Sequence, residues 1–460
     1  MTTRDVSRRR FIRESMFGGA AGAIALCDPG MLAAQSVGVK RSDLTDLIIK
    51  EVKVYVTDMT DVHRLNSTET GELLSVVTTS GIEGNYTIGN RNRTEGWLEW
   101  AKANLVGKSV IDLLPTLTAT SGMKGPGGFD TQPQRRAGAP IPFAQSAGPG
   151  MGPAFGGAAV AGSALQTHGA GAWPNYYTAA ADVCLWDILG KAVGRPIYKI
   201  LQGGVNSKDR VLAYASSNHL PSLEDYVADV LKAKQSGYKG YKIHPGSGQH
   251  QKGPEIPLYI GHMEEIREVR KAAGDEFVLM HDPVQRYNRF EALTVGRLLE
   301  ELNFLWFEDP IRTIDEDGLV ELGRRLSIPL HVGEFLYSIA DFAEYIKRDA
   351  LGAVRLISDN VGGISGSLRV GLLADAHGLE CAPHNWGNTY DMMVAFQLEL
   401  ALPSAYWFEM PHPVEYTDRP YLKTKLRINQ DSYVLAPTEP GLGLVIDHDA
   451  LDRITKKINI

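Results

Sequence analysis

Three carboxylates stand at equal intervals in the second half of the chain, each at the end of a short apolar run. Asp282 ends "EFVLMHD", Glu308 follows "FLWF" and Glu334 ends "PLHVGE", so that successive carboxylates are 26 positions apart. Three carboxylates brought together would not all stay ionised without a cation. Oxygen ligands suit Mg²⁺. Each residue alone would more often be a helix cap, but the joint spacing predicts a magnesium site.

A lysine and two histidines flank these carboxylates in the predicted order of strands. Lys242 and His244 in "YKIHPG" are two residues apart, so they point to the same side of a strand, and His384 lies in "APHNW". Proton carriers on both sides of a bound Mg²⁺ suit removal of a proton α to a carboxylate. The metal would stabilise the enediolate that forms, and Lys or His would accept the proton.

The elements that position these residues alternate regularly between strand-like and helix-like segments. Such alternation predicts a parallel sheet with crossover helices, which eight strands close most naturally into a (β/α)₈-type barrel. A doubly wound open sheet is the alternative, but no strand is followed by a G-x-G-x-x-G turn. The predicted strands are 210–217, 238–244, 276–282, 304–309, 329–334, 353–358, 379–384 and 405–410.

Composition narrows the class of partner. The chain has 460 residues, 43% of them hydrophobic, and a net charge of −7, which together predict a globular protein without a nucleic-acid partner. A small-molecule substrate is expected. Cys184 and Cys381 lie far apart and form no disulfide framework, so both are predicted to be small buried hydrophobic residues.

The N-terminus resembles an export signal. Arg8, Arg9 and Arg10 precede Phe11 and a short apolar run, an arrangement typical of a twin-arginine signal peptide, and cleavage is expected after Ala34. Residues 1–34 therefore predict a periplasmic or secreted protein with no stable membrane span. The alternative is an amphipathic leader without a role in export.

Further on, the Gly/Ala/Pro-rich stretch 121–173 is either a passive insertion or a lid over the substrate.

Several motifs together resemble one family. Lys242-x-His244, Asp282, "WFEDP", "VGE", "VGGIS", "APHNW" and "AAADVCLWDILGKAVGRPIYKILQGG" are similar to the enolase superfamily, mandelate racemase/muconate lactonizing enzyme subgroup, over residues 47–450. The resemblance implies a (β/α)₇β barrel (186–415), an α+β capping domain (47–185) and a C-terminal segment (416–460) that returns to the cap. It also implies Mg²⁺ on the three carboxylates, substrate contacts from Lys242 and Glu409, and a homo-oligomer.

Two departures from the subgroup shape the predicted chemistry. His244 replaces the second lysine of Lys-x-Lys, and Ile357 stands where the subgroup has the aspartate that orients its seventh-strand histidine. Asp359 has the same parity and is a candidate substitute. A reaction with one base and one acid follows, and we expect dehydration of a sugar acid to a 2-keto-3-deoxy acid. Arg286 is a candidate substrate contact.

Three other functions remain open from the sequence. A racemase, epimerase or cycloisomerase of a hydroxy acid or sugar lactone is the main alternative. A metal-dependent sugar isomerase would usually carry more histidine ligands. A non-catalytic exported carbohydrate-binding protein would not need both sets of proton carriers.

Overall fold

The computed structural model describes residues 44, 47–59, 70–87, 91–120, 172–202, 208–246, 256–349 and 351–459. The predicted signal peptide and residues 121–171 of the insertion lie outside them. Among the residues described, no helix combines the length and the apolar character needed to cross a bilayer. Cys184 and Cys381 are both free and buried, which confirms the prediction made for them.

The core of the fold is a curled sheet of eight parallel strands, β4 to β11, with β11 hydrogen-bonded beside β4. Each pair of consecutive strands in the sequence is joined by a helical crossover, which confirms the predicted (β/α)₇β barrel with its capping domain. A further strand, β12 (Tyr433–Leu435), pairs antiparallel with β4. The barrel strands are β4 (Arg210–Ser216), β5 (Gly240–Ile243), β6 (Val278–His281), β7 (Phe307–Glu308), β8 (Leu330–Val332), β9 (Ala353–Val354), β10 (Glu380–Cys381) and β11 (Trp407–Pro411).

Local sequence signals set the starts of the crossover helices. Asn288 and Glu291 form a reciprocal capping box at the start of one helix, and Asn388 and Asp391 do the same at another. Such caps satisfy backbone N–H groups that have no partner inside the helix. The crossover helices are α5 (Leu223–Gln235), α6 (Leu258–Ala273), α7 (Arg289–Glu301), α8 (Glu316–Arg325), α9 (Ile339–Lys347), α10 (Ser358–Val361), α11 (Gly363–Ala376) and α12 (Thr389–Ala401).

The capping domain is built on a four-stranded antiparallel sheet with the order β13-β1-β2-β3. Its last strand in the sequence, β13, comes from the C-terminal segment and pairs with β1. The longest helix of the cap continues as one helix through residue 185, where the sequence placed a domain boundary. The elements are β1 (Ile49–Asp58), β2 (Thr70–Thr78), β3 (Glu83–Tyr86), α1 (Arg91–Asn104), α2 (Val110–Thr120), α3 (Ala172–Ala192), α4 (Ile197–Leu201), α13 (His448–Ile454) and β13 (Thr455–Asn459).

The cap helix α3 packs closely against β3. A Cβ atom on Gly84 would overlap the backbone carbonyl oxygen of Cys184 on α3, so only glycine allows this approach. On the other side of the same helix, the carboxylate of Asp182 accepts a hydrogen bond from the backbone N–H of Ser365 at 3.0 Å. The helix α3 therefore joins the cap to the barrel helix α11.

A layer of large side chains fills the barrel below its C-terminal mouth. Tyr214, Met280 and Trp306 form a separate buried cluster there. Trp306 stacks on His331 with ring centroids 4.5 Å apart, and its indole N–H donates to Glu308 Oε2 at 3.2 Å. This packed layer supports Glu308 from below and turns its carboxylate towards the mouth.

Candidate active site

The three predicted metal ligands meet at the C-terminal mouth of the barrel. Asp282, Glu308 and Glu334 are all buried, and each offers an oxygen that lies within 4.8 Å of the other two. They come from the ends of the adjacent strands β6, β7 and β8, which are paired in parallel. The three carboxylates that are equally spaced in the sequence therefore lie close together in the structure, as the sequence predicted.

A fourth carboxylate lies beside this group. Asp309 is fully buried and has a positive φ of 30°. Burial and the neighbouring Glu334 raise the pKa of Asp309 well above its usual value, and burial with Asp282 and Glu308 does the same to the pKa of Glu334. Asp309 is the last residue of the predicted strand 304–309, and its carboxylate is turned into the protein.

Two cations lie inside the barrel against this acidic group. Lys242 Nζ lies 2.9 Å from Glu308 Oε1, 3.4 Å from Asp282 Oδ2 and 2.7 Å from Glu409 Oε1. Arg355, on the strand-like run after β9, donates to Glu308 Oε1 at 2.8 Å and is also paired with Glu409. Burial opposes the charge of Lys242, but Glu308 and Glu409 hold the pKa of Lys242 well above its usual value.

The charges of this centre fit a divalent cation. Two cationic side chains face five carboxylates, and buried charges normally require partners. The ligand atoms offered by the triad are oxygens only, the donor type that Mg²⁺ prefers. The donor chemistry and the excess of negative charge therefore fit the predicted magnesium site. The five carboxylates are Asp282, Glu308, Asp309, Glu334 and Glu409.

His244 is held in one orientation by its neighbours. Its Nδ1 lies 2.6 Å from the backbone carbonyl oxygen of Ser217, and its backbone N–H donates to Ser217 Oγ at 2.9 Å. Because a carbonyl only accepts, Nδ1 carries the hydrogen. The other ring nitrogen, Nε2, lies 2.9 Å from Asp282 Oδ2. The nitrogen that can exchange a proton therefore faces the carboxylate triad.

His384 lies on the opposite side of the triad. Its Nε2 lies 2.9 Å from Glu334 Oε2, and burial lowers the pKa of His384 to about 4. The structure places Asp359, the candidate substitute for the missing aspartate, elsewhere. Its carboxylate accepts a hydrogen bond from the Tyr86 hydroxyl of the cap at 2.8 Å. The strand β9 ends at Val354, so the strand parity that suggested Asp359 does not extend to it.

Glu409 is bound by donors of the protein itself. Its Oε1 accepts from Ser216 Oγ and Lys242, each at 2.7 Å, while Oε2 accepts from the backbone N–H of Asn385 at 3.0 Å and from Arg355. Both oxygens are occupied by donors from the protein. This geometry favours a positioning role over the direct substrate contact that the resemblance implied.

Several residues of the site were not predicted from the sequence. Arg355 is the central cation between Glu308 and Glu409, and its only signal was a charge inside the apolar run "AVRLIS". The rings of His219 and Trp386 lie edge-on to His244, with centroids 5.7 and 5.6 Å away. The predicted Arg286 lies nearby and donates to the backbone oxygen of Pro245 at 2.9 Å.

The comparisons with known families agree with this fold and site. Residues 225–450 match the sequence model of the family described as "Enolase C-terminal domain-like". These residues make up just under half of the chain, and over them the sequence is similar to that family. The match covers the strands that carry the carboxylate triad and both histidines of the site.

Curated relatives are named as sugar acid dehydratases. L-talarate/galactarate dehydratase from Salmonella typhimurium is 32% identical over 231 residues, which are 50% of this chain and 54% of that protein. Arabinonate dehydratase from Saccharolobus solfataricus is 29% identical over 271 residues, 58% of this chain and 68% of that protein. The chain thus spans about half the length of the first relative and about two thirds of the second.

Solved structures share the fold along nearly the whole chain. D-Glucarate dehydratase from Agrobacterium tumefaciens, complexed with magnesium, superposes with a TM-score of 0.68 at 24% identity, covering 90% of this chain and 100% of that one. The 3,6-anhydro-D-galactonate cycloisomerase from Zobellia galactanivorans gives a TM-score of 0.67 at 22% identity, covering 89% and 100%. At these identities the likeness establishes the fold alone.

Proposed function

We propose that this protein is a Mg²⁺-dependent sugar acid dehydratase that converts an acid sugar to a 2-keto-3-deoxy acid. One observation carries the proposal: two imidazoles approach the carboxylate triad from opposite sides. His244 Nε2 lies 2.9 Å from Asp282, and His384 Nε2 lies 2.9 Å from Glu334. A substrate bound between them would have one proton carrier at each face. The names of the curated relatives support the same reaction class.

The triad would hold the metal through Asp282, Glu308 and Glu334. Mg²⁺ bound there would stabilise the negative charge that develops on the substrate carboxylate as the α-proton leaves. Lys242 and Arg355 hold Glu308 in place, and the buried layer of large side chains lies below it. The acidic centre is thereby oriented before substrate arrives.

The histidines would carry out the proton transfers. One imidazole removes the proton at C2, and the other donates a proton to the hydroxyl at C3 as the C3–O bond breaks. A double bond forms between C2 and C3, one water leaves, and the resulting enol rearranges to the 2-keto acid. Ser217 fixes the hydrogen of His244 on Nδ1, so Nε2 is the nitrogen that acts.

Racemisation, epimerisation or cycloisomerisation is the alternative within the same superfamily. A symmetrical two-base reaction would benefit from a carboxylate that orients the histidine after β10. Asp359 does not supply it, since this side chain is bound to Tyr86. His384 instead contacts Glu334 of the triad, which favours different roles for the two histidines.

Proton exchange tests the proposal and assigns the roles. The protein with added Mg²⁺ is incubated with a panel of acid sugars in D₂O, and deuterium at C2 and 2-keto acid are both measured. We expect keto-acid formation with at least one acid sugar. Of His244→Asn and His384→Asn, the variant that lacks the base should lose exchange. The variant that lacks the acid should keep exchange and lose about 10²–10⁴-fold in water elimination.

Other outcomes would contradict the proposal. If both histidine variants still exchange the proton at C2 for deuterium, neither histidine is the base. Exchange without keto-acid formation, accompanied by inversion at C2, would indicate an epimerase or racemase. Absence of exchange with the whole panel would favour the binding protein. Glu268→Gln, an exposed change on α6, serves as a control that should behave like the parent protein.

We also propose that the protein is exported and that it forms a homo-oligomer. The supporting feature for export is the arginine pair before Phe11. Replacing Arg8 and Arg9 by lysine should leave the protein in the cytoplasm, as measured by cell fractionation. Light scattering of the purified protein measures the number of subunits.

A further inference from the structure

The short helix α10 (Ser358–Val361) receives hydrogen bonds from two tyrosines of the cap. The Tyr86 hydroxyl donates to Asp359 Oδ1 at 2.8 Å, and the Tyr176 hydroxyl donates to Asn360 Oδ1 at 3.1 Å. Tyr86 is the last residue of β3, and Tyr176 lies near the start of α3. Two separate elements of the cap therefore hold consecutive residues of one helical turn of the barrel.

Asn360 extends this contact to the predicted metal site. The residue is only 3% exposed, and its Nδ2 donates to the backbone carbonyl oxygen of Glu334 at 2.9 Å. Because a carbonyl oxygen only accepts, the nitrogen of the amide must face Glu334 and its oxygen must face Tyr176. The amide of Asn360 therefore joins a hydroxyl of the cap to the backbone of one residue of the carboxylate triad.

The position of Glu334 depends on its backbone. Glu334 lies beyond the last paired residue of β8, after Gly333, whose φ of 141° is rarely adopted by residues with a side chain. The Asn360 amide, rather than the pairing of β8, holds the Glu334 carbonyl. The side chain of Glu334 offers an oxygen to the triad and also contacts His384 Nε2 at 2.9 Å. A shift of this backbone would therefore move both a metal ligand and the partner of a proton carrier.

We infer that Asn360 is a positioning residue that couples docking of the cap to metal binding by the carboxylate triad. With its amide held by Tyr176, Asn360 fixes the Glu334 carbonyl and so orients one ligand before the metal binds. By linkage, a cation bound at the triad favours the docked cap by the same factor. The inference goes beyond the proposed function, because it concerns the metal alone and assumes nothing about the substrate.

Binding of Mn²⁺ to the whole chain tests the coupling. Mn²⁺ takes the same oxygen ligands as Mg²⁺, and electron paramagnetic resonance measures the Mn²⁺ that stays free. Asp282→Asn removes one ligand and so identifies the binding that belongs to the triad. Asn360→Leu keeps the branched shape of the side chain and removes its hydrogen bonds. We expect the Kd for Mn²⁺ to rise about 10–100-fold in Asn360→Leu and about 2–10-fold in Tyr176→Phe.

A double variant separates coupling from a general loss of structure. If Tyr176 acts through Asn360, Tyr176→Phe should leave the Kd for Mn²⁺ nearly unchanged in the Asn360→Leu background. The matched control is Tyr55→Phe, which removes a hydroxyl from strand β1 of the cap and should bind Mn²⁺ like the parent protein. Far-ultraviolet circular dichroism checks the folding of each variant.

Amide hydrogen exchange measures the reciprocal effect on the cap. In the parent protein, added Mg²⁺ should slow exchange at the start of α3, because the bound cation favours the docked cap. This slowing should be reduced in Tyr176→Phe and lost in Asn360→Leu, whereas Tyr55→Phe should retain it. Tyr176→Phe removes a single oxygen atom, so the measurement stands even if Asn360→Leu does not fold.

Several results would overturn the inference. An unchanged Kd for Mn²⁺ in Asn360→Leu would show that Asn360 does not position the triad. An equal loss from Tyr176→Phe with and without Asn360 would mean that the cap acts by another route. Absence of Mn²⁺ binding that depends on Asp282, or exchange in α3 that does not respond to Mg²⁺, would also refute it. The proposed function fails on a different observation, the absence of exchange at C2 of every acid sugar, which would leave these metal-binding results standing.

Discussion

Replacement of Arg355 by methionine would test how the centre tolerates its negative charge. Arg355 is fully buried and donates to Glu308 Oε1 at 2.8 Å and to the backbone oxygens of Ala382 and Pro383 at 3.3 Å, while also pairing with Glu409. Methionine keeps the apolar volume of the stem and removes the charge. Among the residues described, Lys242 would then be the cation that still contacts both glutamates.

The expected loss follows from the burial of both partners. Breaking a buried ion pair by removing one member costs about 3–5 kcal/mol, because the remaining charge stays desolvated and uncompensated. That is a large part of the 5–15 kcal/mol that stabilises a typical folded protein. In Arg355→Met/Glu409→Gln, a neutral amide replaces the carboxylate that has lost its arginine partner. We therefore expect the double variant to be more stable than Arg355→Met alone.

Urea unfolding followed by tryptophan fluorescence measures these differences without added metal. The control is Arg289→Met, which removes an exposed pair with Asp315 and should cost about 0–1 kcal/mol. A loss below about 1 kcal/mol for Arg355→Met would refute the argument that its charge is needed. Equal stability of the single and double variants would refute the pairing with Glu409.

Two further predictions concern the cap helix α3. Burial raises the pKa of Asp182 to about 7, so its contribution to stability is fully present below about pH 4 and is lost as pH rises through 7. The free energy of unfolding of Asp182→Asn should therefore exceed that of the parent protein by up to about 4 kcal/mol at pH 8 and by little at pH 4.5. An equal difference at both pH values would contradict this prediction. Gly84→Ala should lower the free energy of unfolding in urea by about 1–3 kcal/mol, because the added methyl group overlaps the carbonyl of Cys184. A loss under about 0.5 kcal/mol would show that α3 can shift to make room for it.

The sequence was sufficient to predict the elements and the triad. Strand predictions such as 210–217 and 238–244 agree closely with Arg210–Ser216 and Gly240–Ile243. Strand ends with equal spacing placed Asp282, Glu308 and Glu334 together because adjacent parallel strands share one edge. The hydrophobic periodicity of each element and the order of the strands along the chain can both be read directly from the sequence.

The remaining contacts depend on distances that the sequence does not contain. Arg355 and Glu409 pair across the barrel interior, from the run after β9 and from β11, which are not adjacent in the sheet. Asp359 was assigned by extending strand parity beyond the point where β9 ends, and the chain instead enters the short helix α10. The Arg355–Glu409 pair depends on how the barrel curls, and the position of Asp359 depends on where β9 ends. Neither property can be read from the local sequence pattern.

The pairing of β13 with β1 has a consequence for synthesis of the chain. Residues 455–459 complete a sheet whose first strand begins at Ile49, so almost the whole chain separates two neighbouring strands. The cap sheet can be completed only after the barrel sequence has left the ribosome, and contacts so distant in sequence form slowly. Until then, the edge of β1 is open to pairing with other chains, which makes the last strand a safeguard against aggregation of the nascent protein.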